Sequence, residues 1–148
     1  MKPNPRSIEM MNRLEFVNLA FKEGYLSFLP VVDEGIDLIL YREKGSGLRS
    51  DLRLVQMKSR WSINKKYSDR DIWMAFREGD QWYLVRHDDL EKLCDKLGIV
   101  KSSKSWTETG AYSRGKMGKA LRDEMAAFVF PEPAAAKIKL GTIGRATK

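Results

Sequence analysis

The order of local patterns in this chain of 148 residues predicts an α+β fold, in which a mixed sheet is flanked by helices in an α/β/α arrangement. A helical pattern opens the chain, several short apolar strands follow it, and two further helical patterns come after them. The length is near that of one domain and is sufficient to bury a core without disulfides. We therefore expect one domain over residues 1–130 and a basic, flexible tail over residues 131–148.

The first helix is predicted over residues 7–23. Ser7 is the expected N-cap, and Gly24 is a typical C-terminal stop. Glu15 lies off the main apolar stripe but has apolar neighbours one turn away, which makes it a candidate site carboxylate. The stripe itself recurs at helical spacing and is formed by Met10, Leu14, Val17 and Phe21.

Strand patterns occupy the middle of the chain. Pro30 interrupts the first of them and favours an edge strand or an irregular stretch there. A hairpin is the simplest pairing for the second and third, and the polar turn after Phe76 indicates another hairpin for the last two. The predicted strand segments are 26–32, 36–41, 52–58, 72–76 and 82–85.

Two helical patterns follow the strands. Residues 89–97 form the first, with Asp88 as its expected N-cap and Gly98 as its stop. A polar connection is predicted over residues 99–113, and a last helix over about residues 114–128.

Charge and cysteine usage narrow the functional class. The net charge is +7, and the positive excess is confined to residues 42–70 and 98–148, while the rest is mildly acidic. A basic stripe beside an acidic pocket suits a protein that binds a polyanion together with a metal, although a solvated basic surface explains the charge equally well. Cys94 is the only cysteine, which indicates a reducing, cytoplasmic location. Apolar runs are far shorter than the roughly 20 residues that span a bilayer, so we expect no membrane partner.

Three polar residues on neighbouring strands indicate where the chemistry lies. Gln56 and Lys58 are two positions apart and project from one face, and Asp37 lies on the strand expected beside them. Burying such groups without partners costs several kcal/mol each. A divalent cation resolves that cost, because Mg²⁺ prefers carboxylate, amide and carbonyl oxygens. Each residue alone has an ordinary explanation, such as a strand-edge acid or a chance Gln-x-Lys.

The chain contains a helix with a glutamate, then Gly35-Ile36-Asp37-Leu38-Ile39-Leu40, then Leu54-Val55-Gln56-Met57-Lys58-Ser59-Arg60. In this order, these segments resemble the core of the PD-(D/E)XK nuclease superfamily, which includes restriction enzymes and Holliday-junction resolvases. The resemblance covers about residues 8–86 and implies a restriction-endonuclease-like fold. It also implies Mg²⁺- or Mn²⁺-dependent hydrolysis of phosphodiester bonds, in DNA rather than RNA.

The resemblance assigns roles position by position. Asp37 resembles the metal-binding aspartate, and Lys58 resembles the catalytic lysine. Met57 takes the variable place, whose backbone carbonyl commonly ligates the metal, and Glu15 resembles the helix glutamate of resolvase-like members. Gln56 stands where the family has a carboxylate, which removes one negative charge and makes Glu15 more important as a metal ligand.

A basic segment follows the predicted catalytic strand. Its cations are expected to contact phosphates without reading sequence, and its aromatic rings to stack on bases. Trp61 has the alternative role of covering the sheet edge. The expected nucleic-acid-binding residues are Arg60, Trp61, Lys65, Lys66 and Arg70, with Tyr67 as a second stacking ring.

Two other functions remain open. The neutral Gln56 is compatible with a nuclease-fold protein that binds nucleic acid without cleaving it. A small interaction protein whose basic surface meets an acidic partner is the third hypothesis. Symmetric cleavage of two strands would require a homodimer, for which the sequence shows no interface.

Overall fold

The computed structural model describes residues 1–45 and 50–133 of the chain. Within these ranges it contains four α-helices and eight strands, numbered here in chain order. The helices are α1 (Pro5–Lys22), α2 (His87–Leu97), α3 (Lys104–Thr109) and α4 (Lys119–Met125). The strands are β1 (Leu26–Phe28), β2 (Leu38–Arg42), β3 (Asp51–Lys58), β4 (Trp61–Asn64), β5 (Ile72–Glu78), β6 (Gln81–Arg86), β7 (Ala111–Arg114) and β8 (Val129–Phe130).

Six of the strands form one mixed sheet in the order β1-β2-β3-β5-β6-β8. The β3–β5 pair is parallel, and the other neighbours in this sheet are antiparallel. Both predicted hairpins, β2–β3 and β5–β6, are confirmed, and β1 lies at the sheet edge as Pro30 indicated. The predicted α+β class with a mixed sheet is therefore confirmed.

Helices cover both faces of this sheet, because its central strands carry apolar side chains on both sides. In β5, Met74 points into one apolar cluster and Ala75 into the other. Phe16 of α1 packs in the cluster with Ala75, whereas Leu90 of α2 and Leu121 of α4 pack in the cluster with Met74. The result is the expected arrangement of helix, sheet and helix layers.

The buried face of α1 differs from the predicted stripe. Phe16 and Ala20 are the buried residues of this helix, and Val17 is partly buried. Apolar residues occur on several sides of α1, so periodicity alone did not identify the side that packs on the sheet. The N-cap is Asn4, whose side chain accepts a hydrogen bond from the backbone N–H of Ser7. The other three residues of the predicted stripe, Met10, Leu14 and Phe21, are exposed.

A second sheet of two strands was not predicted from the sequence. It pairs β4 with β7, where Trp61 lies opposite Arg114 and Asn64 lies opposite Ala111. The sequence indicated a basic loop and a polar connection in these places. The strands are short and about 50 positions apart, so only tertiary contacts bring them together.

The helices in the second half also differ in detail. Asp88 does not cap α2; Arg86 occupies the N-cap position, and Asp88 Oδ1 accepts a hydrogen bond from the backbone N–H of Asp69. Gly98 ends α2 in a left-handed conformation, as predicted. No helix in the described part of the chain combines the length and hydropathy needed to cross a bilayer. Most of the predicted tail, residues 134–148, lies outside the described residues.

Candidate functional site

Asp37 lies directly before β2 and is held against β3 by its backbone. Its N–H donates to the carbonyl of Val55 at 2.9 Å. Its carboxylate atom Oδ2 accepts two hydrogen bonds, from the backbone N–H of Met57 at 2.8 Å and from Gln56 Nε2 at 2.6 Å. The structure thus brings together Asp37, Gln56 and the backbone of Met57.

The carboxamide nitrogen of Gln56 donates hydrogen bonds to two oxygen atoms of this site, Asp37 Oδ2 and the Met57 carbonyl oxygen. The side chain is 7% exposed, and its Nε2 also donates to the carbonyl oxygen of Met57 at 3.2 Å. The other end of the amide faces a crowded corner: a Cβ built on Gly35 would lie 3.9 Å from Gln56 Oε1 and 3.1 Å from the ring of Tyr67. Gly35 has a φ of +84°, so this close approach requires glycine.

Lys58 lies two residues beyond Gln56 on the same face of β3. Among the residues that the structure describes, it makes no ion pair; its Nζ lies 5.7 Å from the centre of the Tyr67 ring. Lys58 lines two clefts. An unpaired ammonium beside a carboxylate site is suited to contact an anionic ligand.

The larger cleft, of about 620 Å³, lies between the first half of α1 and the end of β3. Three of its α1 residues were not identified from the sequence: Glu9, Asn12 and Arg13. Their spacing of three and four positions places them on one side of the helix. This pattern of polar residues could have identified them from the sequence. The cleft is lined by Pro5, Ile8, Glu9, Asn12, Arg13, Asp33, Asp37, Gln56, Met57, Lys58 and Ser59.

The smaller cleft, of about 240 Å³, lies beside the second sheet. Hydroxyl and amide groups dominate its lining, so it is polar but carries little charge besides Lys58. It is lined by Lys58, Ser62, Ile63, Asn64, Tyr67, Ser105, Ala111, Tyr112 and Ser113.

Glu15 is not brought into this site. Its Oε2 accepts a hydrogen bond from Arg77 Nη1 at 2.7 Å in a largely solvated ion pair, and it does not line either cleft. Such surface pairs contribute at most about 1 kcal/mol. The carboxylates that do accompany Asp37 in the larger cleft are Glu9 and Asp33.

The two aromatic residues expected to stack on bases are core residues instead. Trp61 and Tyr67 are each 1% exposed, and the Trp61 ring packs edge-on against Tyr112 at 6.3 Å. This burial corrects the expected stacking role of both residues, because neither ring offers a face to a base. Trp61 is part of the apolar cluster between the sheet and α2.

The four basic residues of the predicted nucleic-acid surface are exposed. Arg70 lies close to the Asp37 site, since its Nη2 donates to the carbonyl of Glu34 and its Nη1 would lie 3.8 Å from a Cβ on Gly35. The Nζ atoms of Lys65 and Lys66 lie over the rings of Trp106 and Tyr67, respectively. Arg60 completes this set on the turn after β3.

The oxygen atoms around Asp37 are suitable ligands for a divalent cation. The Asp37 carboxylate and the Met57 carbonyl are hard oxygen ligands of the kind that Mg²⁺ and Mn²⁺ take, and both lie within 3.2 Å of one atom, Gln56 Nε2. Two oxygen acceptors that converge on one point require a donor or a cation between them.

A second group of possible metal ligands, His87, Asp88 and Glu91, fits less well. His87 is fully buried, and its Nε2 accepts a hydrogen bond from the backbone N–H of Asn64 at 3.0 Å. The proton of the neutral ring is therefore on Nδ1, which faces Glu91 Oε1 at 3.3 Å. A protonated Nδ1 has no lone pair for a metal, and Glu91 also accepts a hydrogen bond from Ser68.

Burial of His87 has a consequence for the pH dependence of stability. Burial lowers its pKa below the ordinary 6.5, although the carboxylates of Glu91 and Asp88 act in the opposite direction. The unfolded chain then binds the proton more readily, so stability falls as the pH drops below about 6.5. We expect a lower Tm at about pH 5.5 than at pH 7.5. His87→Gln, which retains an acceptor but does not titrate, is expected to flatten this change. A wild-type Tm that is constant over this range would contradict the assignment.

No protein-family model, curated protein or solved structure matches this chain significantly.

Proposed function

We propose that the chain is a metal-dependent nuclease with a restriction-endonuclease-like, PD-(D/E)XK core. The observation that carries this proposal is the convergence of Asp37 Oδ2 and the Met57 carbonyl on one position, in a cleft that also contains the unpaired Lys58. The mixed sheet, with its β2–β3 hairpin followed by a parallel strand, supports the fold assignment. The resemblance of the two strand segments to the family points in the same direction.

The residues of the larger cleft have two roles in this proposal, metal binding and stabilisation of negative charge on the phosphate. Asp37 and the Met57 carbonyl would hold Mg²⁺ or Mn²⁺, with Glu9 and Asp33 as nearby carboxylates. When bound, the cation lowers the pKa of a water and offsets charge on a phosphate. Lys58 donates hydrogen bonds to phosphate oxygens as negative charge develops on them. Glu15 has no part in this arrangement, because it lines neither cleft and pairs with Arg77.

DNA is the proposed substrate, in the cytoplasm. The exposed Arg60, Lys65, Lys66 and Arg70 follow the site in sequence and contribute to a net charge of +7, which favours a polyanion. Cations of this kind grip phosphates and position the strand without reading its bases. With Trp61 and Tyr67 buried, base stacking on these two rings has no part in the proposal.

Lys58→Ala is the direct test of the proposed activity. The wild type is expected to cleave plasmid, single-stranded or branched DNA with Mg²⁺ or Mn²⁺ and not with EDTA. Lys58→Ala is expected to reduce the rate at least about 100-fold, since removing one group that stabilises transition-state charge typically costs that much.

Lys65→Ala is the matched control, because it removes the same charge outside the larger cleft. It is expected to weaken DNA binding about as much as Lys58→Ala, but to keep the wild-type cleavage rate at saturating DNA. Intact substrates of every topology with both metals would overturn the proposal.

A second candidate function is DNA binding without cleavage. The hydrogen bond from Gln56 Nε2 to Asp37 favours it, because the amide satisfies the carboxylate without any metal. Salt-sensitive DNA binding together with no uptake of Mn²⁺ in calorimetry would support this function. Absence of DNA binding at every salt concentration would instead point to the third hypothesis, an interaction protein. A homodimer stays a prediction, which light scattering of the protein alone and with DNA would test.

A further inference from the structure

The Gln56 amide nitrogen occupies the position where the two oxygen atoms of the site converge. Its distances are 2.6 Å to Asp37 Oδ2 and 3.2 Å to the Met57 carbonyl oxygen. The side chain is 7% exposed, so few water molecules compete for these contacts. The slot between the carboxylate and the carbonyl is thus filled by a group of the protein itself.

Chemistry determines which end of the amide enters the slot. An ionised carboxylate and a carbonyl are acceptors only, so the group between them must donate hydrogen bonds or carry positive charge. Turning the amide over would place Oε1 against two other oxygen atoms and would leave the NH₂ group at the corner near Gly35 and Arg70. That corner already contains a guanidinium, which is a poor neighbour for a second donor.

We propose that Gln56 and a divalent cation compete for this slot, so that the glutamine acts as a built-in substitute for the metal and not as one of its ligands. The inference rests on the proposed function, since it concerns the same site. It reverses the role that the family position suggests for this residue. Metal binding then requires the Gln56 side chain to leave the slot, and the affinity of the site is lowered by the hydrogen bonds that are lost.

The effect of Gln56→Ala on Mn²⁺ binding distinguishes this competition from a ligand role of Gln56. Gln56→Ala removes the competing donor and leaves Asp37 and the Met57 carbonyl in place, so it is expected to bind Mn²⁺ at least as tightly as the wild type. If Gln56 were a ligand through Oε1, the same substitution would weaken binding. Gln56→Glu removes the donor and adds a carboxylate, so its Kd for Mn²⁺ is expected to be at least about tenfold lower.

Gln56→Glu should also make folding stability dependent on metal. In EDTA, two carboxylates and a carbonyl meet with neither a donor nor a cation in the slot between them, and we expect the Tm to fall by at least about 3 °C. Millimolar Mn²⁺ is expected to reverse this loss, and to raise the Tm of the variant more than that of the wild type. Gln81→Glu is the matched control, because Gln81 Nε2 likewise donates to carbonyls, those of Trp82 and Phe130, outside the cleft. Any loss of Tm in Gln81→Glu should not respond to Mn²⁺.

The experiment is calorimetric titration of Mn²⁺ into the wild type, Gln56→Ala, Gln56→Glu and Gln81→Glu, with Tm measured in EDTA and in Mn²⁺. A side-chain NH₂ resonance that Gln56→Ala removes and that shifts on Mg²⁺ addition would support the competition directly. Weaker binding by Gln56→Ala than by the wild type would overturn it, as would no Mn²⁺ binding by Gln56→Glu. Cleavage of DNA is measured separately. If the wild type cleaves DNA but Gln56→Ala binds Mn²⁺ more weakly than the wild type, only the competition is contradicted. If Gln56→Ala and Gln56→Glu bind Mn²⁺ as expected but the wild type does not cleave DNA, only the proposed nuclease activity is contradicted.

Discussion

Asp37→Asn is expected to lower metal-dependent cleavage by at least about 1,000-fold, because a metal contributes several kcal/mol of charge stabilisation and each 1.4 kcal/mol is a factor of ten. Two oxygen atoms converge on the slot, Asp37 Oδ2 and the Met57 carbonyl oxygen, and of these only the Asp37 carboxylate carries a negative charge. An asparagine retains an oxygen that accepts the N–H of Met57, so β3 keeps its local hydrogen bond. It loses the negative charge, and its NH₂ group replaces Oδ1, so only one of the two oxygen atoms of the Asp37 side chain remains to bind a metal.

The measurement is the initial cleavage rate in Mg²⁺ and in Mn²⁺, together with urea unfolding of the same preparations. Asp37→Ala is the harsher variant, since it orphans the N–H of Met57 and is expected to cost about 1–3 kcal/mol of stability besides activity. Asp80→Asn is the control, because Asp80 is exposed and outside the clefts. If Asp37→Asn cleaved at the wild-type rate, Asp37 would have no role in metal binding.

Trp61→Ala is expected to lower the free energy of unfolding by about 3–5 kcal/mol, the usual cost of truncating a buried Trp or Phe. The ring is 1% exposed and contacts the Tyr112 ring edge-on within the cluster between the sheet and α2. A loss of this size is a large part of the stability of a typical domain. Trp61→Phe is expected to cost less, because it keeps most of the apolar volume and the indole Nε1 has no hydrogen-bond partner in the described part of the chain.

Urea denaturation followed by circular dichroism measures this loss. Phe28→Ala is the control, since Phe28 is an exposed aromatic residue of β1 and its removal is expected to change stability by no more than about 0.5 kcal/mol. The opposite pattern, weaker DNA binding by Trp61→Ala with unchanged unfolding, would restore the stacking role that burial argues against.

Local patterns in the sequence were enough to predict the α+β class and the central hairpin. Alternating apolar residues are a local signal, and they predicted that β2 pairs with β3; the structure supplies the register of this pair, with Leu38 opposite Val55. This pairing brings Asp37 next to Gln56, because each strand position has only one neighbour on the adjacent strand. Local patterns were therefore sufficient to indicate which carboxylate and which amide lie together.

The surroundings of that pair depend on contacts between segments that are distant in the sequence. Which side of α1 packs on the sheet determines that Glu9 lines the cleft while Glu15 pairs with Arg77, and both sides of the helix carry apolar residues. Pairing of β4 with β7 joins segments about 50 positions apart and buries Trp61, although its neighbours in sequence are polar and basic. The direction of the Gln56 amide likewise follows from two acceptors that meet only in the folded chain. Burial and hydrogen-bond partners depend on contacts between distant segments, and the local periodicity of apolar residues contains no information about those contacts.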